Sequence, residues 1–493
     1  MLLTPERYPL APGFTISRVL TGLWQVADLE RTGALLARDA AADALVPYAA
    51  AGYTTFDMAD HYGSAEDIVG HYRQRSDAQP VELLTKWVPE PGPITREQVR
   101  TAVDRARRRM QVPSIDLLQF HAWAYSHPSW LDAMFYLDEL RQEGLIRHLG
   151  MTNTDTAHLR VLVESGIPIV SNQVCYSLLD QRAAGAMSDY CRSRGIAILA
   201  FGTLAGGFLS DRWLQQREPD WDAVETWSQM KYGRFIRAAG GWDALQHVLR
   251  VARQIADKHG VSIANVAVRT ILDAPAVGGV IVGARLGQRA HLDDTARLSA
   301  LRLDDVDRAQ MATALQTLTA IPGDCGDEYR KPPYLTASGD LSHHVDGFPA
   351  PYPVVTDPAG RRRALSGTTW ESLAGYSRAV RDGDRILVSG TTATHGERVI
   401  GGSDPAAQTH FVIDKIAGAI ESLGGHLEDV VRTRVYVSNL AQWEPIARAH
   451  GVRFAGIQPA NTMVGAQLIG DEYLVEIEAE AVVRATGNGV AAT

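Results

Sequence analysis

From residue 18 to about 300 the chain repeats one pattern, a short apolar run followed by a longer segment of helical period. The apolar runs are TTFDMA (54–59), ELLTKW (82–87), IDLLQFH (115–121), IRHLGMT (146–152), IVSNQVC (169–175), IAILAFG (196–202) and VGGVIVG (277–283). Helical spacing marks 95–110, 128–143, 155–164, 183–194 and 243–259. Runs that are apolar throughout suit strands buried on both faces, and alternation with helices makes those strands parallel. Eight such units over this length predict a (β/α)8 barrel. The opening strand lies near 43–53 or near 18–26; periodicity leaves both open, and FTISRVLTG (14–22) suits a hairpin ahead of the barrel.

The pattern stops at residues 321–353, a stretch rich in Gly, Pro and Asp without an apolar period, which is expected to be a linker or a surface loop. It then starts afresh. DRILVSGTT (384–392), a helix near 405–424, VVRTRVYVS (430–438), a helix near 441–456 and strands at 462–468 and 473–484 give a β-α-β-α-β-β order, expected for a smaller α+β domain. A chain of 493 residues exceeds what one core usually holds, ~250–300 residues. The expected division is therefore 1–320 barrel, 321–353 linker and 354–493 second domain.

A net charge of −9 and a pI of 5.9 argue against a nucleic-acid surface. The basic runs, Arg105 with Arg107 to Arg109 and Arg361 to Arg363, are expected as solvated faces. Cys175, Cys191 and Cys325 are too few and too irregular for a disulfide framework or a zinc site, and His343 and His344 are expected in solvent. The start MLLTPERYPLAPG lacks a secretory pattern, and no apolar stretch reaches ~18 residues, so a cytoplasmic protein is expected.

At the carboxyl ends of barrel strands, polar side chains point into the mouth. Asp57, Tyr62, Lys86 and His121 each end or closely follow an apolar run. Taken singly, each also suits a cap, a solvated strand end or a satisfied core residue. Together they suit carbonyl reduction. An oxygen that receives hydride density on its carbon needs a proton, and tyrosine, with a pKa of ~10, is a weak acid unless tuned. A lysine ammonium is expected to lower that pKa, an aspartate to hold the lysine charged, and a histidine to align the carbonyl oxygen.

GYTTFDMADHYGSAED (52–67), LLTKW, LLQFH and GLIRHLGMTN (144–153) resemble the aldo-keto reductase family in the right order over residues 10–320. The resemblance implies an NADPH-dependent oxidoreductase, with NADH as the other candidate, acting on a small-molecule aldehyde, ketone or imine-linked carbonyl with Tyr62 as proton donor. It implies that Thr152, Asn153 and Gln173 hold the nicotinamide carboxamide and that Phe201 stacks on the ring. Gly22, Trp24, Gly202 and Leu204 complete the expected cofactor cradle. IVGARLGQRAHLDDT (281–295) resembles the family's phosphate segment, which places Gly283, Arg285, Arg289, Asp294 and Thr295 on the cofactor tail. A slow-turnover cofactor sensor is the alternative reading of the same residues. Trp87, Trp123, Tyr125, Trp130 and Trp227 are candidates to wall the substrate pocket.

AGYSRAVRDGDRILVSG (374–390), 404–440 and YLVEIEAEAVV (473–483) resemble the RidA/YjgF family, whose members form trimers and hydrolyse imines and enamines. The resemblance places a pocket at Tyr376, Ser377, Asn461 and Glu478, with Asn461 in QPANTMVG where the family has arginine. Asparagine cannot clamp a carboxylate as a guanidinium does. The implied assembly is a homo-oligomer of three or a multiple of three, in which this domain oligomerises, senses a ligand or handles an imine lacking a carboxylate.

Overall fold

The computed structural model describes residues 4–30, 33, 35–224, 226–287, 291–336 and 347–484. Arg289, His343 and His344 lie outside them.

Eight parallel strands close into a barrel in chain order: Val19–Gly22, Thr55–Asp57, Glu82–Trp87, Ile115–Phe120, Ile146–Thr152, Ile169–Cys175, Ala197–Phe201 and Val277–Gly283. The last returns to the first through pairs from Val280↔Val19 to Gly283↔Gly22. Of the two candidates for the opening strand, 18–26 contains it. The other holds the helix Val46–Ala50, where Pro47 sits in the first turn and alanines follow, both favourable to helix. The hairpin precedes the expected place: Arg7–Ala11 pairs with Phe14–Ser17, and Val19 already belongs to the barrel. Its Leu10, Phe14 and Ile16 pack on Leu20, Leu84, Leu117 and Leu199 and plug one end of the barrel.

Local signals set the helix ends. Thr95 and Gln98 form a capping box ahead of Arg96–Met110, and Ser262 caps Ile263–Leu272.

The second domain is a seven-stranded mixed sheet in the spatial order Val354–Thr356, Arg362–Ala364, Ala379–Asp382, Arg385–Thr391, Val475–Val482, Val430–Val437, Ala460–Gly465. Only the last pair is parallel. The helix Pro405–Ser422 is buried almost all round, because the sheet, the neighbouring helix Trp443–Phe454 and the barrel helix Thr156–Glu164 together cover it. Gly418 permits this approach, since a Cβ there would meet the Ser126 carbonyl.

Residues 321–336, part of the stretch expected as a linker or a surface loop, pack across the barrel mouth. The Arg330 guanidinium donates to the carbonyls of Ala122 and Asn153, and Gly326, at φ +83°, lies so close that a Cβ would collide with the Asn153 carbonyl.

Candidate active site

Parallel strands in a barrel bring their carboxyl ends to one rim, so residues distant in sequence meet there. Asp57 ends its strand, Lys86 stands one residue from the end of the next, His121 follows Phe120, and Tyr62 lies in the loop before the helix Ala65–Arg73. The Lys86 ammonium donates to Asp57 Oδ2 at 2.6 Å and to the Met58 carbonyl at 2.8 Å, and its Nζ stands 4.9 Å from the Tyr62 ring centroid. Tyr62 meets the edge of Trp24 at 5.0 Å. The His121 ring lies 4.6 Å from Trp123 and 5.5 Å from Tyr329, and its Nδ1 is 3.5 Å from the Asn153 side-chain nitrogen. Asp57 and Lys86 are almost completely buried. A buried ion pair adds little net stability, and its position at a rim of polar groups is typical of a functional site.

The electrostatics differ from the expectation for Tyr62. Its pKa is raised well above the ordinary tyrosine value, first by burial and then by the negative charge of Asp57. The Lys86 pKa is lowered by burial, only partly offset by Asp57. Asp57 takes up the lysine's charge, so the phenol gains little from it. The Tyr62 proton therefore stays in place until a strong base forms beside it, and an alkoxide is such a base.

The other cofactor candidates divide. Thr152 donates its hydroxyl to the Gln173 carbonyl at 3.0 Å. Asn153 stands at φ +54°, with its Oδ1 buried and unpartnered among the described residues. Gln173 is turned inward: its amide donates to Asp57 Oδ1 at 2.7 Å and to Gln119 at 3.0 Å, so it positions the aspartate rather than presenting that amide to the mouth. Phe201 ends its strand, followed by Gly202, at φ +74°, and Leu204. Gly22 and Trp24 flank the opening of the first helix. Gly283 leaves room that a Cβ could not share with the Gln25 side chain, whose Oε1 is also buried without a partner among the described residues.

Arg285 forms an ion pair with Asp28 at 2.8 Å. Asp294 accepts from Ser262 at 2.8 Å and Asn265 at 2.9 Å, so its carboxylate fastens the helix Ile263–Leu272 instead of standing free for an adenine. Thr295 lies inside the short helix Leu292–Ala296. Orphaned acceptors at Asn153 and Gln25, beside a glycine-lined rim, fit a nicotinamide nucleotide whose carboxamide offers N–H donors.

Among the aromatic candidates, Trp123 and Trp227 stand against His121 and Trp24 respectively, the latter at 5.8 Å. Trp87 packs on Phe120. Tyr125 and Trp130 belong instead to the junction between the domains. There His158 is fully enclosed, its Nδ1 2.7 Å from both oxygens of Asp155 and its Nε2 3.1 Å from both oxygens of Asp414, a residue of the second domain. Arg453 pairs with Asp414 at 2.7 Å. Burial pushes the His158 pKa down, but the two carboxylates outweigh it and the net shift is upward. Tyr125 stacks on His158 on one side, and the Arg330 guanidinium lies 4.6 Å from its ring centroid. A column of stacked and paired groups thus runs from the second domain to the carbonyls of Ala122 and Asn153, next to the candidate site. His158, Tyr329 and Arg330 have no signal in the sequence, because none ends a strand or belongs to a motif, and nothing in the segment 404–440 marks Asp414 as a partner of the barrel.

The second-domain candidates engage separate partners. Glu478 accepts from Arg434 and from the Tyr436 hydroxyl, both at 2.9 Å, and Asn461 donates to the Thr433 hydroxyl at 2.9 Å. Tyr376 is exposed and faces Arg378 at 5.8 Å, while the Ser377 carbonyl accepts from Ser389. An open groove of about 540 Å³ on the sheet includes Arg432, Arg434, Glu478 and Leu387. Among the described residues no group of three or more His, Cys, Asp or Glu is placed to hold a metal ion, and no helix is long and apolar enough to cross a membrane.

Residues 18–316 match the family model described as Aldo/keto reductase family, and residues 367–483 match that described as Endoribonuclease L-PSP, which represents the RidA/YjgF proteins. An uncharacterized protein of Streptomyces coelicolor is 38% identical over 121 residues, 24% of this chain and 90% of that protein. A Mycobacterium tuberculosis protein of the YjgF/YER057c/UK114 family is 42% identical, covering 25% of this chain and 99% of its own, with a TM-score of 0.23. The glycerol dehydrogenase of Gluconobacter oxydans shares the barrel fold with a TM-score of 0.52 at 20% identity, covering 64% of this chain and 97% of its own.

Proposed function

Because the chain belongs to the aldo/keto reductase family, we propose that it reduces a small-molecule carbonyl with a nicotinamide cofactor, Tyr62 acting as proton donor. The observation that carries this reading is the convergence of Asp57, Tyr62, Lys86 and His121 beside the orphaned Asn153 Oδ1. The cofactor, when bound, supplies a hydride, that is, one proton and two electrons, to the carbonyl carbon. His121 directs the carbonyl oxygen toward Tyr62. The C=O π pair moves to oxygen as the C–H bond forms, and the Tyr62 hydroxyl proton neutralises the oxygen. Lys86 holds Asp57 and the Tyr62 loop in register, and Asn153 with Thr152 orients the carboxamide. NADPH is the cofactor proposed, with Arg285 as the cation for a 2′-phosphate. That phosphate would compete with Asp28, so NADH is the alternative.

The second domain is proposed to oligomerise the chain, as a trimer or a multiple of three. Support comes from exposed apolar side chains on and around its sheet, among them Leu387, Val431, Trp443 and Val464. A panel of aldehydes, ketones and cyclic imines, followed by NADPH and NADH absorbance, tests the reductase reading. Turnover of carbonyls supports it. Tight retention of cofactor without turnover of any substrate would sink it and favour a sensor.

A further inference from the structure

Lys231 belongs to the helix Trp227–Ala238 and stands beside Phe201 at the end of its barrel strand and Tyr329 at the mouth. Its ammonium donates to the Tyr329 hydroxyl at 2.8 Å, and it lies 4.7 Å from the Phe201 ring centroid and 5.0 Å from that of Tyr329. Tyr232 and Phe235 add two further rings at 5.6 and 5.8 Å. Lys231 as a residue is half-buried with its ammonium enclosed, and among the described residues no carboxylate forms an ion pair with it. Glu328, which pairs with Arg182 at 2.9 Å, acts on the ammonium only through its charge at longer range, and Asp180 pairs with the same guanidinium at 2.7 Å. One hydroxyl and several aromatic faces satisfy an ammonium poorly, because it has three N–H donors and a full charge. Tyr329 also faces His121, so the ammonium stands one aromatic ring away from the group that aligns the carbonyl.

We propose that Lys231, with the Tyr329 hydroxyl, binds a carboxylate on the substrate, so that the protein acts on carbonyl compounds bearing an acidic group at the end remote from the reacting carbon. This deepens the reductase reading and rests on it. The aromatic surroundings exclude water and strengthen the ion pair that a carboxylate would form, and Tyr329 fixes the ammonium so that little side-chain entropy is lost on binding. A neutral substrate would leave the ammonium with only the Tyr329 hydroxyl and the aromatic faces, and this sets the discrimination.

The test compares 4-carboxybenzaldehyde with methyl 4-formylbenzoate, which differ by the charge, in wild type, Lys231→Met and Lys231→Arg. In wild type the acid is expected to have the higher kcat/KM. In Lys231→Met the acid-to-ester ratio is expected to fall at least tenfold, mainly through KM of the acid, and Lys231→Arg is expected to recover part of it. Calorimetric binding of benzoate to the full-length protein gives a readout that needs no turnover: its Kd is expected to weaken at least tenfold in Lys231→Met. Equal acid-to-ester ratios in wild type and Lys231→Met, or equal benzoate affinity, overturn the proposal. A loss of NADPH affinity in Lys231→Met with an unchanged acid-to-ester ratio also overturns it, by assigning the cation to a cofactor phosphate. If neither aldehyde is reduced by wild type, the carbonyl panel above decides the reductase reading, and the benzoate measurement still decides whether Lys231 is a carboxylate site.

Discussion

Asp414→Asn is the sharpest perturbation of the junction between the domains. The carboxylate is almost fully enclosed and faces two cations, His158 and Arg453. Losing its charge leaves both short of a partner, and breaking such a buried pair costs ~3–5 kcal/mol. Asparagine keeps one acceptor oxygen, so the lower end, about 3 kcal/mol, is expected. The pH dependence follows from the shifts. The raised His158 pKa makes its contribution complete below the ordinary imidazole range and lost as pH rises through the raised value. Asp414 is lowered overall: burial raises its pKa, and Arg453 and His158 more than offset that. Asp155 is also lowered. Their contributions hold above the ordinary carboxylate range and are lost as pH falls through the lowered values.

The neighbouring His410 is pushed down to about 3 by burial and by Arg453, so it stays neutral throughout. Tyr125 and Trp130 also face the imidazole, and burial raises the Tyr125 pKa, so that it keeps its proton over this range. Hydrogen exchange of amides in Thr156–Glu164 and Pro405–Ser422, at pH 6 and pH 9, reads the local opening free energy. The variant's penalty is expected to decline from pH 6 upward, toward the share that belongs to Arg453, as the pH passes through the raised His158 value. A penalty below ~1 kcal/mol at pH 6, or one that grows as the pH rises, would refute the reasoning.

Asn153→Gly keeps the left-handed backbone and removes the orphaned acceptor; cofactor titration by tryptophan fluorescence is expected to show affinity weakened about five- to tenfold, from one lost hydrogen bond of ~1–1.5 kcal/mol. Arg285→Ala is expected to raise the Kd for NADPH about tenfold or more and to change that for NADH little, since a charge-assisted hydrogen bond contributes ~1.5–3 kcal/mol; equal effects on both would assign Arg285 to holding Asp28 alone. Light scattering is expected to give a mass three times, or a multiple of three times, the 53.6 kDa chain, and Leu387→Asp on the exposed sheet face is expected to lower it; a monomeric wild type contradicts the assembly.

The barrel was legible because its strands are buried on both faces and so stand out as apolar runs, and its rim residues because each follows such a run. The rest was decided partly by local residue chemistry and partly by contacts between distant segments. The segment 43–53 is as apolar as a strand, and alanine content with an early proline, rather than periodicity, makes it helix. The hairpin turns at Gly13, ahead of the apolar peak that suggested it. Residues 321–336 carry linker composition, yet Arg330 finds two carbonyl acceptors at the rim, a match invisible until the barrel closes. Spacing shows that a lysine stands near Tyr62 but not that burial, and then the charge of Asp57, raise the phenol's pKa. Gln173 and Asp294 sit at their motif positions, but their side chains fasten other residues.

The measurement closest to the central claim is the rate of NADPH oxidation by wild type and Tyr62→Phe on the best carbonyl substrate, with cofactor affinity measured alongside. Removing a proton donor from the transition state is expected to lower kcat by ~10²-fold or more, with cofactor Kd within about threefold. Equal kcat values in the two proteins would mean that the proton comes from elsewhere, and the assignment of the rim residues would fall with it.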